Sequence, residues 1–287
     1  MAFGHIRYEV HTPIASVILN RPKQRNAQSR QLLEEMDQAF TLATEDDNVK
    51  VIVVYGEGDH FSAGHDLGSN DERADQERRP YPEGVRGRFI RSKNLYVDYS
   101  LRWRDIPKPT IAAVQGYCIF GGWIVASSMD MIFAASDAMF LGTNFQYFSV
   151  PWDLHPRKAK ELLFESRFID AREAERLELV NRVYSPSDLL RETMVYAGRI
   201  AENDSFQLRM IKTAINQQQD VQGYKAHIDS AHAYHLLSAM GESDPGFELH
   251  RPEGKRRPMV EKALQNYRRF HGNDLNDAAG DDEGNSA

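Results

Sequence analysis

The chain has 287 residues, 41% apolar and 27% charged, the balance of a folded globular protein rather than a disordered or membrane-embedded one. Its net charge of −7 argues against nonspecific nucleic-acid binding, and no apolar run reaches the roughly 18 residues that a membrane-spanning helix needs. The opening Met1-Ala2-Phe3-Gly4-His5-Ile6-Arg7 lacks the basic-then-apolar order of a signal peptide, and a lone cysteine, Cys118, rules out an internal disulfide. A reducing, cytoplasmic setting is the expectation.

In chain order, residues 14–19 (Ile-Ala-Ser-Val-Ile-Leu) read as a β-branched strand. Leu32, Leu33, Met36, Ala39, Phe40 and Ala43 recur at helical spacing and predict an amphipathic helix over 29–43. Residues 51–55 form a buried strand that runs through glycine into Phe61-Ser62-Ala63-Gly64-His65-Asp66-Leu67. Residues 68–93 mix many Asp, Glu and Arg with Pro80, Pro82, Gly84 and Gly87. They read as a long loop, either a mobile lid or a solvated insertion. A strand at 111–114 leads into Val114-Gln115-Gly116-Tyr117-Cys118-Ile119-Phe120-Gly121-Gly122-Trp123-Ile124, with a helix over 122–128 and a strand over 131–135. Strands separated by helices predict right-handed crossovers and a largely parallel sheet. Helices follow at 187–202, 206–219 and 226–240. An acidic tail over 272–287 has too few apolar residues to fold. The expected organisation is a core over 1–200, a helical region over 201–271 and the tail.

The two glycine-containing segments are the most informative part of the chain. Glycine allows close backbone approach and positive φ. Two strand-to-turn segments of this kind can aim two backbone N–H groups at one oxygen, as in an oxyanion hole.

These segments resemble the signature of the crotonase (enoyl-CoA hydratase/isomerase) superfamily. So do Leu19-Asn20-Arg21-Pro22-Lys23 with Asn26-Ala27, and Ile169-Asp170-Ala171 with Glu173-Ala174 and Leu179-Val180-Asn181-Arg182-Val183. The resemblance runs from about residue 6 to 216 and implies an α/β spiral of repeated β-β-α units with a C-terminal helical region that forms trimers, often paired into hexamers. It implies that the backbone N–H groups of His65 and Gly121 hold a CoA thioester oxygen. It also implies that Ala63, His65, Asp66, Leu67, Gly68 and Gly121 line the CoA arm, with Lys23 and Arg25 near its phosphates. Coenzyme A enters as part of the substrate; no tightly bound cofactor or metal is expected.

The sequence departs from the family's hydratases where their two glutamates handle water. Three residues after Gly121 stands Ile124, which cannot move a proton, and four after Phe140 stands Asn144, which can only orient a water. The family's glycine-rich turn is replaced by Ser149-Val150-Pro151-Trp152-Asp153-Leu154-His155-Pro156-Arg157. Asp153 is the first candidate for proton handling and His155 the second; the alternative for Asp153 is a helix cap. The His65 imidazole is a further acid/base candidate near neutral pH.

The leading reading is an acyl-CoA-processing enzyme that is not a standard two-glutamate hydratase, with isomerisation, C–C hydrolysis, decarboxylation or dehalogenation open. The alternative is a non-catalytic acyl-CoA-binding or oligomer-forming protein. Cys118 reads as a small buried residue, and His232 and His235, three apart on a helix, read as packing rather than metal ligands. Trp103, Trp123 and Trp152 read as core or pocket wall.

Overall fold

The computed structural model describes residues 3–142, 146–238, 240–241 and 258–272. Among the described residues, nine strands divide between two sheets. The larger holds β1 (Ile6–His11), β2 (Ile14–Leu19), β3 (Val51–Gly56), β4 (Thr110–Val114), β6 (Met131–Ala135) and β9 (Arg182–Tyr184), in that order. Only β1 runs antiparallel to its neighbour; β2, β3, β4, β6 and β9 are parallel. The smaller sheet holds β5 (Tyr117–Ile119), β7 (Met139–Leu141) and β8 (Ile169–Asp170). The chain therefore places β4 in one sheet and β5 in the other, then β6 and β7 likewise. This is the expected α/β spiral: from β4 to β7, each turn lays one strand in each layer.

Both faces of the larger sheet are covered, which is why its strands read as unbroken apolar runs. Ile52, Val54, Ala112 and Val114 face one core with Leu32, Met36 and Phe40 of α1 (Arg30–Glu45). Val51, Val53, Ile111 and Phe133 face another with Leu189 and Ala197 of α9 (Leu189–Ala201). Strand period two sends alternate residues to opposite faces.

The segment over 68–93 is not a loop. It forms α2 (Asn70–Arg78) and α3 (Gly84–Ser92), then a π-helical stretch (Lys93–Asp98) and α4 (Tyr99–Arg104). Its charges made it look solvated, but several are inward anchors. Asp75 pairs with the buried Arg30 at 3.2 Å, and Glu72, 1% exposed, accepts from the Arg30 backbone N–H and from Arg91. Burying paired charges hid the docking face from a hydropathy reading.

Beyond the core come α10 (Ser205–Val221), α11 (Tyr224–Ser238) and α12 (Pro258–Phe270). Phe206, Met210, Ile211 and Ile215 of α10 are all exposed. α12 lays Val260, Ala263, Leu264 and Tyr267 against Ile119, Phe120, Leu141 and Phe168. Apart from Gly272, the acidic tail lies outside the described residues. Among the described residues no helix is long and apolar enough to cross a membrane.

Asp75→Ala should strand the Arg30 guanidinium and lower unfolding free energy by about 3 kcal/mol, the lower end for one broken buried pair, measured by urea denaturation. An unchanged midpoint would show that α2 is not anchored this way.

Candidate active site

The first glycine segment is built as an extra strand. The Gln28 N–H donates to the Gly64 carbonyl at 2.8 Å and the Asp66 N–H to the Gln28 carbonyl at 2.9 Å. On the other side, Ser62 exchanges backbone bonds with Tyr117 and Ile119 of β5 at 2.9 and 3.0 Å. The Ser62 hydroxyl adds a bond to the Asn26 carbonyl. Asn26, fully buried at φ 52°, donates to the Glu57 and His60 carbonyls and accepts from the Arg21 N–H. Its short amide side chain satisfies three backbone groups in a turn that no regular ladder could serve.

The two glycine segments meet at Gly64 and Gly121. Gly64 has φ 87°, and a Cβ there would sit 2.7 Å from the Ile119 carbonyl oxygen and 3.3 Å from the Gly121 nitrogen. Gly121 opens α5 (Gly121–Ser127), so its N–H lies outside the helix's own ladder. The peptide carrying that N–H is set by Phe120, which adopts φ 45° and ψ −99°. A non-glycine residue there carries strain of order 1–3 kcal/mol, and such strain clusters at functional sites. Backbone packing holds it: the Phe120 N–H donates to the Leu141 carbonyl and its ring packs among the α12 residues.

The His65 ring stacks on Tyr96 with centroids 3.7 Å apart, and a Cβ on Gly121 would lie 2.7 Å from its Nδ1 and Cε1. His65 Nε2 lies 2.6 Å from Gln146 Oε1, and since an amide oxygen only accepts, Nε2 carries the hydrogen. Gln146 Nε2 then donates to His235 Nε2 of α11 at 3.4 Å. Burial, reinforced by His232, depresses the His235 imidazole to about 4, so it stays neutral and accepts.

Asp153 closes α6 (Val150–Asp153) and does not cap α7 (Pro156–Glu165); the exposed His155 does that, accepting from the Arg157 N–H. Asp153 Oδ2 accepts from Trp123 Nε1 at 2.8 Å, the Ser127 hydroxyl at 2.7 Å and the Ser149 hydroxyl at 2.8 Å. It keeps some accessible surface but is crowded by protein atoms, and burial raises its carboxyl pKa against the pull of these three donors. No cation is among the groups that shift it.

Ile124, 2% exposed, packs with Val97, Tyr147, Tyr224 and Ile228, and the Tyr147 and Tyr224 hydroxyls bond at 2.7 Å. Asn144 lies outside the described residues. Lys23 and Arg25 are exposed on a turn whose Arg25 carbonyl accepts from the Ala63 N–H, which sets both cations beside the first segment. Leu67 is 51% exposed and Gly68 adopts φ 131°. The Asp66 carboxylate turns inward to Arg21 at 2.8 Å and to Ser69, so only its backbone is left to face a ligand. Cys118 is buried and its thiol pKa pushed well up, as suits a packing residue. His232 bonds the Ser92 hydroxyl, and among the described residues no cluster of three or more His, Cys, Asp or Glu could hold a metal.

Gln28, Tyr96, Ser127, Gln146 and Ser149 went unread in the sequence. Two had a signal: Trp123 and Ser127, and Ser149 and Asp153, are i, i+4 pairs that share a helix face.

The enoyl-CoA hydratase/isomerase family model matches residues 9–243. The chain belongs to this family. It is 38% identical over 259 residues to a candidate enoyl-CoA hydratase, EchA13, of Mycobacterium tuberculosis, covering 82% of this chain and 81% of that protein. It is 31% identical over 256 residues to a crotonyl-CoA hydratase of Syntrophomonas wolfei, covering 86% and 94%. The solved enoyl-CoA hydratase/isomerase of Xanthobacter autotrophicus Py2 superposes with a TM-score of 0.75 at 32% identity, over 82% of this chain and 87% of that one. The crotonase resemblance and the crotonase-like fold are thereby established, and with them an enzyme of the hydratase/isomerase family.

The raised Asp153 pKa means the native state binds a proton more tightly than the unfolded chain, so this residue's contribution to stability falls as pH rises from the ordinary carboxyl value through the raised one. Asp153→Asn should therefore melt above wild type at neutral pH, with the gain vanishing below about pH 3.9, the unperturbed value. A pH-independent difference in melting temperature would refute this.

Proposed function

We propose that this enzyme acts on an acyl-CoA thioester by holding the carbonyl oxygen between the backbone N–H groups of His65 and Gly121, with Asp153 as the proton-handling group. The observation that carries the reading is the convergence at Gly121: a strained Phe120 peptide, the close approach of Gly64 and the start of α5. Charge that develops on the thioester oxygen as an enolate meets donors already in place and the positive end of a helix. The names of its relatives, a crotonyl-CoA hydratase among them, support the same substrate class.

The reaction we favour is a double-bond shift. Adding water needs one group to deliver water and another to protonate carbon, and Ile124 supplies neither. A shift needs one base. Asp153 takes a proton from C2 of a 3-enoyl thioester, the oxygen carries the dienolate charge, and the same proton returns at C4. A raised pKa makes Asp153 a stronger base than an ordinary carboxylate. In this reading Lys23 and Arg25, exposed beside the first segment, meet CoA phosphates, and the Ala63–Gly68 backbone and exposed Leu67 meet the CoA arm. The exposed apolar side chains of α10 support a homotrimer or hexamer. A cytoplasmic role in fatty acid metabolism fits this chemistry.

The test is a panel of 2-enoyl, 3-enoyl, aromatic and alicyclic CoA thioesters followed by mass and ultraviolet absorbance. We expect 3-enoyl turnover, with Asp153→Asn lowering kcat by about 10²–10⁴-fold while thioester affinity is kept. Hydration of crotonyl-CoA at the rates of a two-glutamate hydratase would overturn the isomerase assignment. Tight thioester binding without any turnover would favour the non-catalytic alternative.

A further inference from the structure

The His65 imidazole is gripped by residues far from it in the chain. One face stacks on the buried Tyr96, with centroids 3.7 Å apart and 25° between the planes. Its Nδ1–Cε1 edge borders Gly121, where a Cβ would lie 2.7 Å from both atoms. Stacking alone leaves such a ring free to turn over, because the last torsion of histidine has two broad wells. What tells the two wells apart is Nε2, which meets Gln146 Oε1 at 2.6 Å. Turned over, the ring would present a carbon to that oxygen. Gln146 is itself oriented. Its amide nitrogen lies 3.4 Å from His235 Nε2 of α11, and burial keeps that imidazole neutral. A neutral imidazole accepts at Nε2, so the NH2 end of Gln146 faces α11 and the oxygen end faces His65.

We propose that Gln146, with His235 behind it, is a positioning residue: it pins the His65 ring beside Gly121 in the Nε2–H tautomer and so steadies the backbone N–H that the same residue carries. The inference rests on the reading that His65 and Gly121 hold a thioester oxygen. The backbone on either side of His65 is already tied to Gln28, through the Gly64 carbonyl and the Asp66 N–H. The ring is the third tie. A donor aimed beforehand needs no reorganisation as charge develops, and small misplacements at a reacting centre are costly. Gln146 touches no reacting atom in this account. Helix α11, distant in sequence, thereby helps to set the oxyanion site.

The experiment compares wild type with Gln146→Leu, His235→Leu and His235→Gln. Nuclear magnetic resonance of isotope-labelled histidine nitrogens reads the His65 tautomer, the signal being assigned by its loss in His65→Asn. Isothermal titration with crotonyl-CoA, and with butyl-CoA thioether, which lacks the carbonyl, reads the donor. Wild type should show the Nε2–H form. Both leucine variants should mix the tautomers and lose about three- to tenfold in thioester affinity, the span of one weakened hydrogen bond, with thioether affinity unchanged. His235→Gln, whose side-chain oxygen still accepts, should restore the single tautomer. Gln146 and His235 are both half-buried, and either leucine variant decides the matter should the other fail to fold. An Nδ1–H form in wild type, leucine variants that keep tautomer and affinity, or equal loss for the two probes overturns the proposal. A wild-type protein that binds neither probe refutes the acyl-CoA reading instead, and the tautomers of the variants then decide whether Gln146 sets the ring.

Discussion

Everything at this site depends on how closely two backbones approach where Gly64 meets Gly121. A Cβ on either residue would collide, on Gly64 with the Ile119 carbonyl and on Gly121 with Gln28 and His65. That approach is enforced from both sides. The 61–66 segment is laced between the 26–28 turn and β5, and the Asn26 side chain and Ser62 hydroxyl complete the lacing. With the gap fixed, the strained Phe120 peptide has one place to put its N–H. The rest of the spiral supplies the rigid frame, two sheets whose alternate strands are laid down in turn.

Around that point polar side chains are linked to one another. His65, Gln146 and His235 form a hydrogen-bonded chain, with His235 kept neutral by burial. The Asp153 carboxylate is held by hydroxyls and an indole rather than by a cation. Burial raises its pKa, and the three neutral donors that orient it pull the other way without reversing that rise. Helix α11 walls this region with Tyr224, Ile228 and His235, so the C-terminal helices serve the site as well as the surface.

Much of the fold was legible because its signals are local. Residues 14–19 and 51–55 read as strands from β-branched runs, and Leu32 to Ala43 as a helix from spacing alone. The 68–93 region misled because its anchors are charges. Asp75 and Glu72 look solvated in sequence and are buried only because Arg30 and Arg91, distant in the chain, arrive beside them. The same limit applied at the site. Glycines announced the turn, yet nothing local marks Gln28 or Gln146, whose surroundings are set by neighbours 93 and 81 positions away.

The surroundings of Ile124 also bear on what the chain could accept at that position. A glutamate there would enter a cluster of Val97, Tyr147, Tyr224 and Ile228 and would pay desolvation. The hydroxyl pair of Tyr147 and Tyr224, with the Arg104 guanidinium 4.3 Å from the Tyr224 ring, would have to open to receive it. A single substitution at 124 therefore does not install an ionised carboxylate by itself; the neighbours that now pack isoleucine would have to move with it.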